Sequence, residues 1–419
     1  MQKNIYSKMN NEIIQHKYLD RDLYLRYRTL SKTKLFPTSK ISTLIIDDEN
    51  KTISFTKNES QQIQNRKRKR FFSGYRKKLS GIRKLQKSLV HEKNKYLQKY
   101  YFGKLENLRD EVLLDKIKLD ETITSEEKNQ KVFEIHKKLY PIPTQEELNI
   151  FVSEFIDFIN FVSESGYLKD FDQKVFKEIS DPDFYKINYQ AQKINFKEVE
   201  KKYKNIRDKT DKLNPQRFSA KEIKVIFRKF LKKLNVEERV RIRINPQVYL
   251  FSVSPEKRRI TIPAEIKMSE TRLYGIMAHE VIVHLYRSIS GSRNSNLKGE
   301  KLHALRSGPT GSLLEEEGIA TYFEQNVLGE SSNYDIFQLF QFYLRLIAID
   351  LAINFEPYDV YQKLIKLCEF QTIVNPTLGR NPRKTAEILV KRLYRGYRHP
   401  TKGNFNPKIG VYLLGNRKI

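Results

Sequence analysis

The chain has 419 residues, enough for two or three domains with a substantial core. Its composition, 39% hydrophobic and 31% charged with many Tyr and Phe, is typical of a folded globular protein and excludes wholesale disorder. The polar N-terminus lacks the apolar core of a signal peptide, no uncharged apolar run reaches about 18 residues, and the single cysteine, Cys368, excludes an internal disulfide and a multi-cysteine zinc site. We therefore expect a cytoplasmic protein without a transmembrane segment.

The formal net charge of +29 is unevenly distributed. Residues 66–104 contain 15 Lys or Arg and one acid, Glu92, and residues 376–419 contain 11 Lys or Arg and one acid, Glu387. Clusters of this kind attract polyanions such as nucleic acid, an anionic membrane or an acidic protein tail. A Lys-rich proteome would also raise the total charge, so the clustering is more informative than the total.

The first 140 residues predict one hairpin and then long helices. Residues 42–46 and 52–55, separated by an acidic turn, are typical of two paired strands. Residues 61–138 contain no proline and predict long, basic helices. Pro141-Ile142-Pro143 ends this pattern.

A capping box at residues 144–147 then predicts the start of a helix whose Phe-rich face belongs to the core. The next stretch is polar and Lys-rich up to Asn214-Pro215. We place a domain boundary there, between a mostly helical basic region at 1–214 and a second domain at 215–419.

The second domain begins with short elements. A capping box at residues 219–222 predicts a helix, and residues 239–244 alternate strictly between apolar and basic side chains, as in a half-buried strand. Residues 248–253 and 259–262 predict further short strands, which we expect to pair antiparallel. Ser269 caps the helix that follows. This order of elements predicts an α+β fold.

The helix after Ser269 carries the motif His279-Glu280-Val281-Ile282-Val283-His284. Zinc peptidases commonly place two histidines four residues apart, so that both lie on one face of a helix. A spacing of five turns a regular α-helix by about 500° and leaves the imidazoles about 140° apart. A π-bulge accommodates one additional residue, and we predict one between Ala278 and Leu285.

Glu280 follows His279 directly, which suits a general base that takes the proton of the attacking water. The alternative is an ordinary surface acid or an acid that supports a ligand. A second His-Glu pair, His91-Glu92, has no histidine four or five residues later and is expected to be inert.

A third ligand would come from Glu315, Glu316 or Glu317 on a separate predicted helix. Glu315 completes a capping box that begins at Ser312, which gives it a structural role. Glu317 precedes Gly318, and glycine in a helix costs about 1 kcal/mol relative to alanine. A close approach of this helix to another backbone or to substrate would explain that glycine. We therefore favour Glu317 as the ligand and Glu316 as the second choice.

These motifs resemble the QEGLA-motif metallopeptidase family, which includes the microtubule-associated tyrosine carboxypeptidases. The resemblance covers roughly residues 215–419 and is weaker over the helical N-terminal part. The residues that carry it are His279, Glu280, Val281, His284, Arg287, Gly291, the run Glu316-Glu317-Gly318-Ile319-Ala320, the segment Arg392–Gly396, Lys408, Tyr412, Leu413 and Gly415.

The resemblance implies one Zn²⁺ ion bound by His279, His284 and Glu317, with Glu280 as the catalytic residue. It also implies removal of a C-terminal residue, tyrosine in the named relatives, from a polypeptide. The chain departs from the family's motifs at Ile282, Val283, Ser290 and Ile409. These departures leave His279, Glu280, His284 and Glu317 intact, so they bear on substrate choice and not on the metal site.

A carboxypeptidase needs a cation for the terminal carboxylate of its substrate, and arginine serves best because it binds bidentately. Arg306, Arg392, Arg395 and Lys408 are candidates, and Tyr412 is a candidate donor to an oxyanion. Each of the four cations could equally be a solvated or salt-bridged surface residue. For Tyr412, a packed position in the core is the favoured interpretation.

The sequence as a whole predicts a zincin-like catalytic domain behind a basic helical region. We expect a zinc-dependent carboxypeptidase acting on an acidic or extended polypeptide. Two alternatives stay open: an endopeptidase with the same site, and a protein that binds nucleic acid or another polyanion and has a structural metal.

Overall fold

The computed structural model describes residues 17–32, 43–56, 61–91, 95–120, 122–164, 173–190, 217–248, 251–255, 257–293, 313–331, 336–374 and 381–416. These ranges are mostly helical and include small sheets, which agrees with the predicted α+β class.

The α-helices of the described ranges are, in chain order, α1 (Lys17–Lys32), α2 (Gln61–Val90), α3 (Lys95–Leu119), α4 (Ser125–Leu139), α5 (Gln145–Glu164), α6 (Gln173–Ile179), α7 (Ala220–Lys233), α8 (Glu270–Ile276), α9 (Arg287–Arg293), α10 (Leu313–Ser331), α11 (Ile336–Asn354), α12 (Pro357–Val374), α13 (Pro382–Leu393) and α14 (Val411–Asn416). A π-helix at Met277–Tyr286 joins α8 to α9. Short 3₁₀ turns lie at Pro182–Phe184, Glu237–Arg239 and Pro407–Gly410.

The N-terminal elements follow the sequence predictions. Strands β1 (Thr43–Asp47) and β2 (Thr52–Thr56) pair antiparallel as the predicted hairpin. Helices α2, α3 and α4 occupy the predicted basic helical stretch. The capping box before α5 is formed, because Glu147 accepts the Thr144 N–H at 2.7 Å and Thr144 accepts the Glu147 N–H at 3.1 Å.

The strands of the second half are β3 (Arg217–Ser219), β4 (Arg241–Asn245), β5 (Ser252–Ser254), β6 (Arg259–Pro263) and β7 (Lys267–Ser269). Strands β4, β6 and β5 form one sheet in that order, and β3 pairs with β7. The prediction of purely antiparallel pairing was wrong: β5 is antiparallel to β6, but β4 runs parallel to it. The pairing direction depends on the path of the whole connection, which alternation within one strand does not encode.

Two core clusters matter for the site. The smaller packs α7 and the sheet against α8 and the π-helix, through residues such as Phe227, Ile260 and Val281. The larger packs α5 against α11 and α12 and also contains residues from β2 and α14. This larger cluster is built from residues on both sides of position 214. The predicted division into domains at 1–214 and 215–419 stays a prediction.

Among the described helices, none combines the length with the apolar composition that a bilayer-spanning segment needs.

Candidate metal centre

The two histidines lie on a π-helix rather than on an α-helix. The segment Met277–Tyr286 adopts this conformation, in which hydrogen bonds span five residues and side chains five apart lie one above the other. The ring centroids of His279 and His284 are 5.2 Å apart. The predicted bulge between Ala278 and Leu285 is therefore confirmed.

Helix α10 brings a carboxylate to this pair. Glu317 Oε2 lies 3.4 Å from His279 Nε2 and 3.6 Å from His284 Nε2. One ligand atom from each of the three residues lies within 4.8 Å of the others, so the group could hold a metal ion. The prediction that these three side chains converge is confirmed.

A glycine contact between two helices sets the position of α10. A Cβ atom added to Gly318 would lie 2.4 Å from the carbonyl carbon and oxygen of Gly415 on α14. No side chain fits in that space, so the first of the two explanations for Gly318, a close approach to another backbone, is confirmed. The same crossing brings Tyr412 of α14 to the site, where its ring lies 6.3 Å from that of His279 at 28°.

Carboxylates also occupy the other side of each imidazole. Glu324 Oε2 lies 3.0 Å from His279 Nδ1, and Glu316 Oε1 lies 2.6 Å from His284 Nδ1. Glu316, the second choice for the metal ligand, therefore contacts the far nitrogen of His284 and is not one of the three clustered residues. Glu315 is exposed.

Each of these outer carboxylates is paired with an arginine. Arg272 on α8 donates to Glu324 Oε1 at 2.7 Å, and Arg287 on α9 donates to Glu316 Oε1 at 2.7 Å. Our sequence reasoning missed Glu324. Its spacing of seven from Glu317, two turns of an α-helix, was the available signal for a shared face.

The proximity of acids and imidazoles shifts their pKa values strongly. Burial alone would lower the pKa of His279, but interaction with Glu317 and Glu324 outweighs it and raises that pKa to about 9. Burial likewise disfavours charged His284, yet interaction with Glu316 and Glu317 raises its pKa to about 10. Burial would raise the pKa of Glu317, and the two imidazoles instead lower it to about 2. The pocket thus stabilises positive charge between its carboxylates.

Glu280 is half-buried beside the same groups. Burial is the main cause that raises the pKa of its carboxyl, and the neighbouring His279 and His284 partly counter it. A carboxyl that is partly shielded from water next to the ligand cluster has the position expected of a proton acceptor.

The donor set fits a catalytic divalent metal. Two ligand atoms at about 2.1 Å from a tetrahedral ion would lie about 3.4 Å apart, close to the observed separations between Glu317 Oε2 and the two imidazole Nε2 atoms. Glu317 Oε2 is buried and has no hydrogen-bond donor among the described residues. Two histidines and one glutamate leave a fourth position open, which is typical of catalytic zinc.

The predicted substrate-binding residues differ in how they are placed relative to the cluster of His279, His284 and Glu317. Tyr412 is at the site, and its ring lies 4.4 Å from the guanidinium carbon of Arg345, a cation that the sequence did not single out. Arg392 is exposed, but its charge acts on both Tyr412 and Arg345. The Lys408 ammonium lies 5.7 Å from the ring of Tyr140 and interacts with the charge of Glu317.

Two further candidates do not join this group. Arg395 is exposed, and its charge acts on Tyr140 and Lys408. Arg306 lies outside the described residues. Of the predicted cations, Lys408 therefore interacts with Glu317 of the cluster, and Arg392 interacts with Tyr412 beside it.

A comparison with protein families supplies independent information about this chain. A family model described as "Microtubule-associated tyrosine carboxypeptidase" matches residues 111–373, well over half of the chain. The chain belongs to this family. The family resemblance inferred from the motifs is confirmed. Comparisons with curated proteins and with solved structures find no match.

Membership in the microtubule-associated tyrosine carboxypeptidase family implies a carboxypeptidase that acts on a polypeptide. The matched range contains the whole cluster of His279, His284 and Glu317, and also Glu280. It ends before Arg392 and Tyr412, so these two residues rest on the structure and on the motif resemblance.

Proposed function

We propose that this protein is a zinc-dependent carboxypeptidase that removes a C-terminal residue from a polypeptide. The observation that carries the proposal is the convergence of His279, His284 and Glu317, whose ligand atoms lie within 4.8 Å of one another. Two imidazoles and a carboxylate with an open fourth position form the donor set of zinc hydrolases. Family membership favours the carboxypeptidase reaction over other hydrolyses.

Each residue of the cluster has a distinct role in this proposal. His279, His284 and Glu317 would hold the ion, which when bound acts as a Lewis acid on the scissile carbonyl. Glu280 takes a proton from the water that attacks this carbonyl and afterwards delivers it to the leaving amine. Glu324 and Glu316 face the imidazole Nδ1 atoms, so both Nε2 atoms stay available to bind the ion.

Recognition of the substrate's end would use the cations beside the cluster. A terminal carboxylate is bound best by arginine, and Arg392 and Arg345 both act on Tyr412. Lys408 is a further cation near Glu317. Exposed Lys and Arg side chains on α2 offer a second, longer-range attraction for an acidic polypeptide. We further propose specificity for tyrosine, a zincin-like fold, a catalytic unit at 215–419 and a cytoplasmic location.

The role of Glu280 is tested with Glu280→Gln. This variant keeps the size of the side chain but has no carboxylate to accept the proton, so we expect it to bind zinc like the parent protein and to lose hydrolysis. Glu315→Gln, at an exposed position of α10, is the matched control and should remain active. Zinc content is measured by elemental analysis, and products are measured by mass spectrometry. Retained turnover in Glu280→Gln would remove Glu280 from the mechanism.

Exopeptidase and endopeptidase activity are separated by the end of the substrate. A peptide with a free C-terminus should lose one residue, whereas the same peptide with an amidated C-terminus should resist cleavage because no terminal carboxylate is available. Internal cleavage of both peptides would indicate an endopeptidase. Zinc binding without cleavage of any peptide in a library would indicate a structural metal.

A further inference from the structure

Each imidazole of the cluster has a carboxylate at its Nδ1 atom, and the contact at His284 is a hydrogen bond. His279 Nδ1 faces Glu324, and His284 Nδ1 faces Glu316, at 3.0 and 2.6 Å. Each of these carboxylates in turn accepts a hydrogen bond from an arginine at 2.7 Å. The arrangement arginine–glutamate–histidine thus occurs twice, once for each imidazole.

Helix geometry explains how one helix serves both histidines. On α10, Glu324 lies two turns after Glu317, so both point from the same face. Glu316 is rotated by about 100° from Glu317 and reaches the other imidazole. Helix α10 therefore supplies one carboxylate to the interior of the cluster and one to the outer side of each ring.

The arginines come from the two ends of the histidine segment. Arg272 lies on α8, just before the π-helix, and Arg287 is the first residue of α9, just after it. Glu324 uses its two oxygens separately, Oε1 for Arg272 and Oε2 for His279. Glu316 uses Oε1 for both Arg287 and His284. Both carboxylates are well shielded from water, with side chains 8% and 15% exposed.

From this geometry we propose that Glu324 and Glu316 are positioning residues for the metal centre. Each accepts a hydrogen bond from the Nδ1–H group of its histidine, which fixes the tautomer, directs Nε2 towards Glu317 and makes the imidazole a stronger metal ligand. Arg272 and Arg287 hold the two carboxylates in place. The inference rests on the proposed metal-binding function, and it assigns a role to two acids outside the ligand set.

A purely structural reading of the same contacts makes a different prediction. If the pair Arg272–Glu324 only joined α8 to α10, removing either partner would have the same effect on folding and none on the metal. If Glu324 positions His279, its removal weakens metal binding much more than the removal of Arg272, because Arg272 does not touch the imidazole.

The test measures the affinity for Zn²⁺ by competition with a chromophoric chelator, independently of catalysis. Glu324→Ala and Glu316→Ala should each bind Zn²⁺ about 10–100-fold more weakly. Glu324→Gln and Glu316→Gln keep an acceptor oxygen without the charge, so they should lose less affinity, and they serve if an alanine variant does not fold. Glu315→Ala, exposed on the same helix, is the matched control and should bind like the parent protein.

A second readout reports the geometry of the ligands. The visible absorption bands of the Co²⁺-loaded protein should change in Glu324→Ala and Glu316→Ala and not in Glu315→Ala, because reoriented imidazoles alter the ligand field. Unchanged Zn²⁺ affinity and unchanged Co²⁺ bands in the folded variants would overturn the positioning role alone. Absence of metal binding by the parent protein would instead overturn the proposed function.

Discussion

At the scale of single residues, the buried histidines of this protein differ according to their neighbours. His279 and His284 are buried next to carboxylates, which raise their pKa values to about 9 and about 10 despite the cost of burial. His136 on α4 is equally buried, but its Nδ1 lies 3.2 Å from the neutral hydroxyl of Tyr397. Burial, together with the charge of Lys118, lowers the pKa of His136 to about 4. Neighbouring carboxylates thus favour the protonated imidazole, whereas burial beside a neutral hydroxyl favours the neutral one.

The low pKa of His136 predicts how stability depends on pH. The unfolded chain binds a proton at this residue near pH 6.5, and the folded chain binds it near pH 4. The contribution of neutral His136 to the free energy of unfolding is therefore complete above pH 6.5 and is lost as the pH falls towards 4. It amounts to at most about 3 kcal/mol. His136→Phe keeps an aromatic ring that cannot be protonated, and its free energy of unfolding should fall less between pH 6.5 and 4.

Denaturant titrations at several pH values measure this difference. His91→Phe is the matched control, because His91 is exposed at the end of α2, and it should show the pH dependence of the parent protein. Identical slopes for His136→Phe and the parent protein would contradict the assignment of this effect to His136.

At the scale of elements, α10 connects the candidate metal centre to α14. It carries Glu317, and its crossing with α14 has room for backbone alone at Gly318 and Gly415. The crossing holds Tyr412 against His279, with ring centroids 6.3 Å apart. The spacing of these two helices therefore controls the shape of the site.

Gly318→Ala should destabilise the fold although alanine is the better helix former. The added methyl would lie 2.4 Å from Gly415, and overpacking of this kind typically costs about 1–3 kcal/mol. Helix propensity alone predicts a gain of about 1 kcal/mol. Denaturant unfolding shows whether the free energy of unfolding of the variant falls or rises. Ile319→Ala, at the exposed next position, should have little effect, and a more stable Gly318→Ala protein would show that the crossing is looser than described.

At the scale of the whole molecule, the candidate metal centre lies where two core clusters meet. The π-helix packs its Val281 and Leu285 in the smaller cluster, whereas α10 contributes Leu314 to the larger one. A bound ion would therefore link the two cores through His279, His284 and Glu317. Ligands that bind the folded state selectively stabilise it by mass action.

Removing the metal should lower the melting temperature of the protein. An ion present at a thousandfold excess over its dissociation constant contributes about 4 kcal/mol to the free energy of unfolding. Calorimetry with and without a chelator measures the shift. The double variant His279→Ala/His284→Ala is the control, because a chelator should leave its melting temperature unchanged. An equal chelator effect on both proteins would place the ion elsewhere.

The surface charge predicts a salt-dependent preference for acidic substrates. Exposed cations line α2, including Lys84 and Lys87, and attraction between exposed charges is largely screened beyond about 10 Å at 0.1 M salt. Cleavage of a peptide with an acidic tail should slow as salt rises, and cleavage of a neutral peptide should not. Lys84→Gln/Lys87→Gln should reduce this effect more than Lys229→Gln/Lys232→Gln on α7. A salt effect that is equal for both peptides would contradict recruitment by charge.

Local periodicity and capping chemistry determined a large part of this fold in advance. The hairpin of β1 and β2, the basic helices α2 to α4 and the cap of α5 depend on residues close together in the chain, so their prediction required no knowledge of the chain's path. The π-helix is a local consequence as well. Two histidines five residues apart can share one ion only if the helix widens between them.

Contacts between distant segments were decided by the tertiary structure. The sequence offered three adjacent glutamates, and the docking of α10 directs Glu317 into the cluster and Glu316 to the outer side of His284. Gly318 signalled a close approach without naming Gly415 as its partner. The spacing of seven residues between Glu317 and Glu324 showed that both lie on one face of the helix, but it did not show that Glu324 faces His279. In each case the missing quantity is the relative placement of two elements, which arises from the packing of the whole core.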